Sequence, residues 1–371
     1  MAMERVKQLV SHMSPGSSKG VAALERKSPD DVVITLAIRS PLCKAKGGGF
    51  ITDELMLEMF KQAIAQSGID PALVGDITVG NVLSPGALYE ARVAALAAGF
   101  PETVPVQTVN RFCSSGLMAV TDIANKVRVG QIEVGLAIGI ESMSQNEDKG
   151  APTISDTIKA NPTACDCAMP MGWTSENVAG DFHISREDMD EWATLSFQRA
   201  EHADRSGYFK NEIVPITAYE KPDETGKRAV KVVSKDDGIR YGTTKDKLLK
   251  VRAAFPQWKP SQTTGGNASQ ITDGAAAVLI MTRRKAEELG LRVLAKHIAT
   301  AVAGVPPRVM GIGPTYAIPM VLEHVGITQD DVDIYEVATG LNELARRNGK
   351  ILVTSMCIGT GMGAAAVFVR D

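Results

Sequence analysis

The chain has 371 residues, of which 44% are hydrophobic and 22% charged, with 34 glycines and a formal net charge of −3. That length predicts two or three domains at about 150 residues each, and the composition is that of a globular α/β protein rich in tight turns. A pI near 6.0 excludes a general attraction to nucleic acid or an anionic membrane, and the longest apolar run, Ala275 to Met281, is far short of the roughly 18–20 residues of a membrane helix.

Residues 1–30 are read as an N-terminal targeting or flexible segment. They hold no apolar signal core, but Val6, Leu9, Val10 and Met13 fall at helical spacing with Arg5 and His12 beside them. A strand from Asp31 to Ile38 then leads through Gly47-Gly48-Gly49 to a helix from about Asp53 to Ser67, capped by Thr52 or Asp53 and stopped by Gly68. A strand from Asp76 to Val82, a helix from Leu88 to Ala98 and a strand from Val104 to Val109 deliver the chain to Cys113. A helix to about Val129 follows. The apolar strand Glu133 to Ile140 is what a sheet covered on both faces requires. From about Ser142 to Thr263 the pattern turns to polar loops and charged helices, one opened by Ser185-Arg186-Glu187-Asp188, and strand character resumes at Ala275.

One unit recurs. A helix, Gly68-Ile69-Asp70 and Asp76-Ile77-Thr78-Val79 is matched by a helix from Ala317 to Val325, Gly326-Ile327-Thr328 and Asp333-Ile334-Tyr335-Glu336. In the second copy a single helix, from about Thr339 to Asn348, separates Glu336 from the last strands. Roughly 30 or more residues, one βαβ unit, are missing by comparison.

Five cysteines at irregular spacing argue against a secreted disulfide framework. Cys113 stands where a strand turns into a helix, so free amides and the helix dipole point at its sulfur, a setting that favours a thiolate nucleophile. A small apolar cysteine packed at a helix start fits the same pattern. Cys357 lies between two apolar strands, Ile351 to Ser355 and Ala364 to Val369, in a glycine-dense turn whose amides suit an oxyanion. That turn is no dinucleotide fingerprint, because a strand rather than a helix follows it. Cys165 and Cys167 form a lone Cys-x-Cys with no second pair at ligand spacing, so no metal site is expected.

In chain order, Asn110-Arg111-Phe112-Cys113-Ser114-Ser115-Gly116-Leu117, Met171-Gly172-Trp173-Thr174-Ser175-Glu176-Asn177-Val178-Ala179, Gly266-Asn267-Ala268-Ser269 with Asp273-Gly274-Ala275-Ala276, Gly304-Val305-Pro306-Pro307, Met310-Gly311-Ile312-Gly313-Pro314, and Ser355-Met356-Cys357-Ile358-Gly359-Thr360-Gly361-Met362-Gly363 resemble the thiolase family, in particular the peroxisomal 3-ketoacyl-CoA thiolases. The resemblance implies a thiolase-like α/β fold with two related α/β halves in a layered α-β-α-β-α arrangement. The first half is expected at 31–141 and 264–300, an inserted CoA-binding loop domain at 142–263, and a shortened second half at 301–371. By the same likeness Cys113 is the nucleophile that accepts the acyl group in thiolytic cleavage of a 3-ketoacyl-CoA. Cys357 is the acid/base at the substrate α-carbon, and the amides of Cys113 and Gly359 form one oxyanion hole. Met171, Arg240, Phe255 and Ser269 match positions lining the CoA channel. Coenzyme A is a substrate, no metal or redox cofactor is implied, and a homodimer is expected.

The spacing Arg5-Val6, then His12-Met13, resembles a cleavable N-terminal peroxisomal signal, so an import receptor and a peroxisomal location are expected, or a cytoplasmic one where the signal is silent. The chain also departs from its family. An Asn-Glu-Ala-Phe motif and a Gly-His-Pro motif, whose His deprotonates the nucleophile, belong after the strand ending at Glu336, but the sequence there reads Val337-Ala338-Thr339-Gly340-Leu341-Asn342-Glu343-Leu344. Phe112 stands where Gln is common. Severely impaired activity and poor solubility are therefore expected. A catalytically dead thiolase-like protein that binds CoA or acts as a dimer partner, and an edited transcript of a thiolase gene, are the competing readings. A decarboxylating condensing enzyme is disfavoured, because it would want two histidines after its cysteine.

Overall fold

A computed structural model describes residues 20–46, 50–219, 224–336 and 348–371. The expected targeting signal at Arg5 to Met13, the Gly47-Gly48-Gly49 run and the helix expected from Thr339 lie outside the described residues.

The elements of the first half are α1 (Val21–Glu25), β1 (Val32–Arg39), β2 (Cys43–Lys44), α2 (Thr52–Ser67), β3 (Asp76–Gly80), α3 (Ala87–Ala98), β4 (Val106–Val109), α4 (Ser115–Arg128) and β5 (Val134–Ser142). The insertion carries α5 (Asp156–Lys159), α6 (Pro162–Asp166), α7 (Met171–Asp181), α8 (Arg186–Arg205), β6 (Ile216–Tyr219), β7 (Val230–Val233) and α9 (Lys245–Leu249). The chain then returns through β8 (Thr272–Thr282), α10 (Arg283–Glu288), β9 (Ala295–Gly304), α11 (Gly313–Val325), β10 (Ile334–Glu336), β11 (Ile351–Ile358) and β12 (Met362–Arg370).

The main strands run β10-β11-β12-β9-β1-β8-β5-β3-β4, with β2 added to β8. Both halves obey one plan. A parallel pair, β3–β5 or β10–β11, is followed by antiparallel β8 or β12, then by antiparallel β1 or β9. β9 pairs with β12 along its whole length and touches β1 at only two positions. The ladder that β9 shares with β12 begins at Ala295.

Three apolar clusters give the layers. α2 and α3 cover one face of the first half through Met56, Met59, Phe60, Ala91 and Ala95. α4 lies in the middle, its Ala119, Ile123 and Val127 packed both on Val32, Ile34 and Ile280 and on Leu352 and Phe368. α11 covers the far face of the second half through Ala317, Val321 and Leu322. This is the layered α-β-α-β-α thiolase arrangement.

The repeat is real, but its register differs by one residue from the alignment read in the sequence. Gly68 and Gly326 both end their helices in the left-handed conformation, with φ of 66° and 73°, as a residue without Cβ allows. The following one-turn helices, Pro71–Leu73 and Gln329–Asp331, start from Asp70 and Thr328. The Gly75 amide then bonds the Val134 carbonyl as the Asp333 amide bonds that of Ile351. Asp333 therefore matches Gly75 rather than Asp76, and Tyr335 matches Ile77. A slip of one residue turns a strand's side chains to the opposite face, so it is Tyr335 that occupies the face toward α11. Ile77 is 0% exposed and Tyr335 is 45% exposed. Between β3 and β5 the first half spends residues 81–133, including α3 and β4; between β10 and β11 the second half has only residues 337–350. The covering pieces are those that the second half lacks the length to supply.

α2 also begins differently than expected. Ile51 is its N-cap, and the Thr52 amide is taken by Gln145 Oε1 at 2.6 Å, so a side chain distant in sequence does the work expected of Thr52 or Asp53. At Ser185 the capping box with Asp188 forms as its sequence predicts.

His297 of β9 is enclosed by α4 and Phe368. Arg128 Nη2 donates to its Nδ1 at 3.0 Å, so the ring proton sits on Nε2 and is donated to Thr300 Oγ1 at 2.9 Å. Burial, with Arg128 beside it, pushes the imidazole pKa down to about 3. The folded state then resists protonation that the unfolded chain accepts below about pH 6.5. Stability should consequently fall as pH drops from that value toward the folded pKa, by up to about 1.4 kcal/mol per pH unit from this group. In urea titrations between about pH 7 and pH 5, His297→Asn should show a shallower pH dependence than the wild type; equal slopes would contradict this.

Candidate active site

Cys113 is carried by the elbow between β4 and α4. It is exposed and lies one residue ahead of Ser114, the N-cap of α4, so the helix-start setting expected for it is the one it occupies. Phe112, just before it, has φ of 44°, a left-handed conformation that bulky residues adopt only when held there. Two glycines let the elbow sit low on the sheet. A Cβ on Gly80 would lie 2.2 Å from the Ser115 carbonyl oxygen, and one on Gly139 would lie 3.1 Å from Gly116 Cα.

Cys357 is not in a turn, as its glycine-rich surroundings had suggested. β11 continues through Ile358, and Cys357 pairs with Gly363 across the hairpin. Cross-strand pairing reaches Ile358 and Met362, leaving only Gly359, Thr360 and Gly361 as the loop, with φ of 69° and 88° at the last two. Close packing explains the glycines here. A Cβ on Gly361 would meet the Val305 carbonyl at 2.3 Å, and one on Gly363 would meet Gly313 at 2.2 Å.

The two thiols share one site. The Cys357 thiol pKa is raised, first by burial and next by Cys113. Phe112 closes the gap between their segments, its ring lying 3.6 Å from where a Gly359 Cβ would stand. Cys167 Sγ is 3.8 Å from the Thr360 carbonyl oxygen, which places the α6 end at the same loop.

The four residues expected to line a CoA channel fall in two groups, three of them on the insertion and Ser269 just past it. Met171 opens α7 with an exposed side chain. Phe255 lies over Gly172, where a Cβ would be 2.1 Å from its ring, and stacks on Trp258 at 4.4 Å, which stacks on Trp173 at 5.1 Å. In the second group, Arg240 Nη1 is 3.4 Å from the Gly265 carbonyl, and Ser269 is exposed a few residues further along that loop. Glu176 joins the groups. It is fully buried on α7 and accepts the amides of Gln262 (2.9 Å) and Thr263 (2.6 Å). The sequence reading missed Glu176, Trp173 and Trp258 as organisers of this surface; adjacent motifs show residue types but not which amides a carboxylate will gather.

The described histidines lie away from the thiols. His297 is at the Arg128 end of α4, opposite the Cys113 end of a 14-residue helix that spans about 20 Å. His324 is in the last turn of α11, whose first residue, Gly313, is the one near the Cys357 hairpin. His183 follows the C-terminal end of α7, and His202 is on α8 with its ring edge-on to Tyr208. Among the described residues no group of three or more His, Cys, Asp or Glu side chains is placed to hold a metal ion, and no helix is long and apolar enough to cross a membrane.

The fold defines a protein of two related α/β halves with a thiol-bearing hairpin facing a thiol-bearing helix start. Residues 32–284 match the thiolase N-terminal domain family and residues 291–340 the thiolase C-terminal domain family. The chain is 42% identical over 417 aligned positions to the peroxisomal 3-ketoacyl-CoA thiolase of Yarrowia lipolytica, covering all of both chains. It is 41% identical to the human peroxisomal 3-ketoacyl-CoA thiolase over 99% of each. Among solved structures it superposes on the dimeric peroxisomal thiolase of Saccharomyces cerevisiae with a TM-score of 0.85 and 39% identity, over 95% of this chain and 100% of that one. Human mitochondrial 3-ketoacyl-CoA thiolase in complex with CoA gives 0.79 and 30%, over 92% and 98%. The chain belongs to the thiolase family. The alignment with the Yarrowia enzyme spans 417 positions, against the 371 residues of this chain.

Proposed function

We propose that the protein is an acyltransferase of fatty-acid β-oxidation that cleaves a 3-ketoacyl-CoA by thiolysis through an acyl group on Cys113, with turnover severely impaired in this chain. The observation that carries this is the shared site of the two thiols. In the forward reaction the Cys113 sulfur attacks C3, and the resulting oxyanion is held by the amides of Cys113 and Gly359. The C2–C3 bond breaks with its electron pair moving to C2, and Cys357 protonates C2 to release acetyl-CoA. A fresh CoA thiol then gives its proton to Cys357, attacks the acyl thioester and leaves as a shortened acyl-CoA, freeing Cys113. The raised Cys357 pKa supports a thiol that holds its proton until C2 needs it. Met171 and Phe255 suit the apolar pantetheine arm, Arg240 and Ser269 the phosphorylated end, and the chemistry proceeds without a metal or redox cofactor.

Among the described residues no histidine is placed to take the proton of Cys113. Loss of a general base costs about 10² to 10⁴ in rate. Loss of acetoacetyl-CoA absorbance in the presence of CoA should therefore run slower than for the relatives by that order, and added imidazole should raise the rate. Intact mass after incubation with an acyl-CoA should show one acyl group, absent in Cys113→Ala. CoA binding without acylation would favour the competing view of a catalytically dead CoA-binding or dimer-partner protein, and turnover at the relatives' rate would refute the impairment.

We further propose a homodimer through β4 and α3. β4 ends the described sheet, with β3 on one side only, and beside it α3 exposes Leu88, Tyr89, Val93 and Leu96, Tyr89 by 83%. An open edge next to an apolar stripe is what a self-complementary interface covers. In sedimentation velocity Tyr89→Lys with Val93→Glu should convert a dimer to monomer; an unchanged sedimentation coefficient would exclude this face.

Peroxisomal delivery by an import receptor that reads Arg5 to Met13 is the matching proposal for location, supported by the peroxisomal relatives. A fluorescent protein carrying residues 1–30 should collect in peroxisomes, and Arg5→Ala should disperse it; diffuse fluorescence of the unmutated fusion would count against the signal.

A further inference from the structure

We propose that Ser115 is a positioning residue for acyl transfer at Cys113. The proposal deepens the acyl-enzyme reading above and rests on it. Ser115 is only 3% exposed. Its hydroxyl oxygen accepts the Arg111 amide at 2.9 Å and donates to the Phe112 carbonyl at 2.7 Å, so one buried side chain ties together both sides of the left-handed residue that precedes the nucleophile. The backbone adds its own bonds: the Ser114 amide to the Arg111 carbonyl at 3.1 Å, and the Ser115 amide to the Phe112 carbonyl at 3.0 Å.

A second support comes from the other side. Asn110 Oδ1 accepts the Phe112 amide at 2.9 Å, while Asn110 Nδ2 donates to the Val82 carbonyl at 3.0 Å. The 82–83 segment is in turn held by Glu141, whose carboxylate accepts the amides of Val82 at 3.0 Å and Leu83 at 3.1 Å. Amides on both sides of Cys113 are thereby committed, and the direction of its own N–H and sulfur follows from a turn that no local preference would choose. A phenylalanine at φ near 44° is strained and persists only where surrounding bonds over-determine it. Gly80, across from the Ser115 carbonyl, leaves the room this packing needs.

The distinction to be tested is between holding the fold and aiming the amide. Acyl transfer to Cys113 needs an N–H directed at the developing oxyanion; alkylation by iodoacetamide displaces iodide at a saturated carbon and needs none. p-Nitrophenyl acetate supplies an acyl group without CoA recognition: the sulfur–carbonyl bond forms, the ester C–O bond breaks, p-nitrophenolate leaves and the thiol proton goes to solvent. In Ser115→Ala, acetylation of Cys113 by this ester should fall by about tenfold or more, the lower range for loss of one oxyanion donor, while iodoacetamide alkylation should change by less than about threefold. Asn110→Ala, which removes the bonds to the Phe112 amide and the Val82 carbonyl but leaves those of Ser115, should show a smaller loss of the same selectivity and serves if Ser115→Ala does not fold, as judged by near-ultraviolet circular dichroism. Equal losses with both reagents, or acetylation at the wild-type rate in both variants, would overturn the proposal. Wild-type protein acetylated by the ester but never by an acyl-CoA would sink the acyl-CoA reading and leave the Ser115 result standing.

Discussion

The close approach of α4 to the sheet is the constraint on which the arrangement of this molecule depends. Among the described residues, α4 is the layer common to both halves, with apolar residues packed against β1 and β8 on one side and β11 and β12 on the other. It can lie so near the first half only because Gly80 and Gly139 face Ser115 and Gly116; a methyl group at Gly80 would need space already occupied by backbone. Overpacking of this kind typically costs 1–3 kcal/mol or more. At this helix the cost would extend to the site, because the elbow at its start sets where Cys113 stands relative to Gly359.

The same device appears in the second half in another form. Gly363 faces Gly313, and Gly361 faces Val305 and Pro307, so the hairpin bearing Cys357 is pressed onto the start of α11 as the elbow bearing Cys113 is pressed onto β3. Each thiol is thus fixed by backbone-to-backbone contact within its own half. Phe112 then bridges the two by lying on Gly359. A Cβ at position 359 would meet that ring at ordinary contact distance, so, unlike Gly361 and Gly363, this glycine is not demanded by packing.

Much of this was readable from residues whose effect is local. Gly68 and Gly326 announce helix ends because only a residue without Cβ reaches the left-handed region cheaply, and Ser185 with Asp188 announces a helix start. Cys113 was found from its place between a strand and a helix, which is likewise a local property. The misreadings involve partners far away in sequence. Gln145 supplies the first-turn bond of α2. Cys357 belongs to a strand because Gly363 lies opposite it. The one-residue error in the repeat has the same origin. Asp76 and Asp333 look alike as letters, but Asp333 accepts the amides of Lys350 and Ile351 at 2.6 and 2.8 Å, whereas Asp76 pairs with Lys126 of α4 at 2.7 Å. Similar side chains at adjacent registers serve different neighbours, and sequence similarity alone does not reveal the shift.

The asymmetry of the halves bears directly on the chemistry. Tyr335 stands at the position of fully buried Ile77 yet is half exposed, so among the described residues the second half has no counterpart of α3 over that face. Both thiols survive this loss because neither depends on the missing unit for its placement: Cys113 rests on β3 and α4, and Cys357 on β12 and α11. The proton balance is what suffers. In the proposed reaction, burial and the neighbouring Cys113 both favour the protonated form of Cys357, so this thiol keeps a proton for C2 and, while it does, has no free site for the proton that Cys113 must shed. A pair of coupled thiols can pass a proton between them, but cannot both be relieved of one without a third group. The impairment proposed above thus amounts to a site acylated slowly by an activated donor, with solvent taking the Cys113 proton.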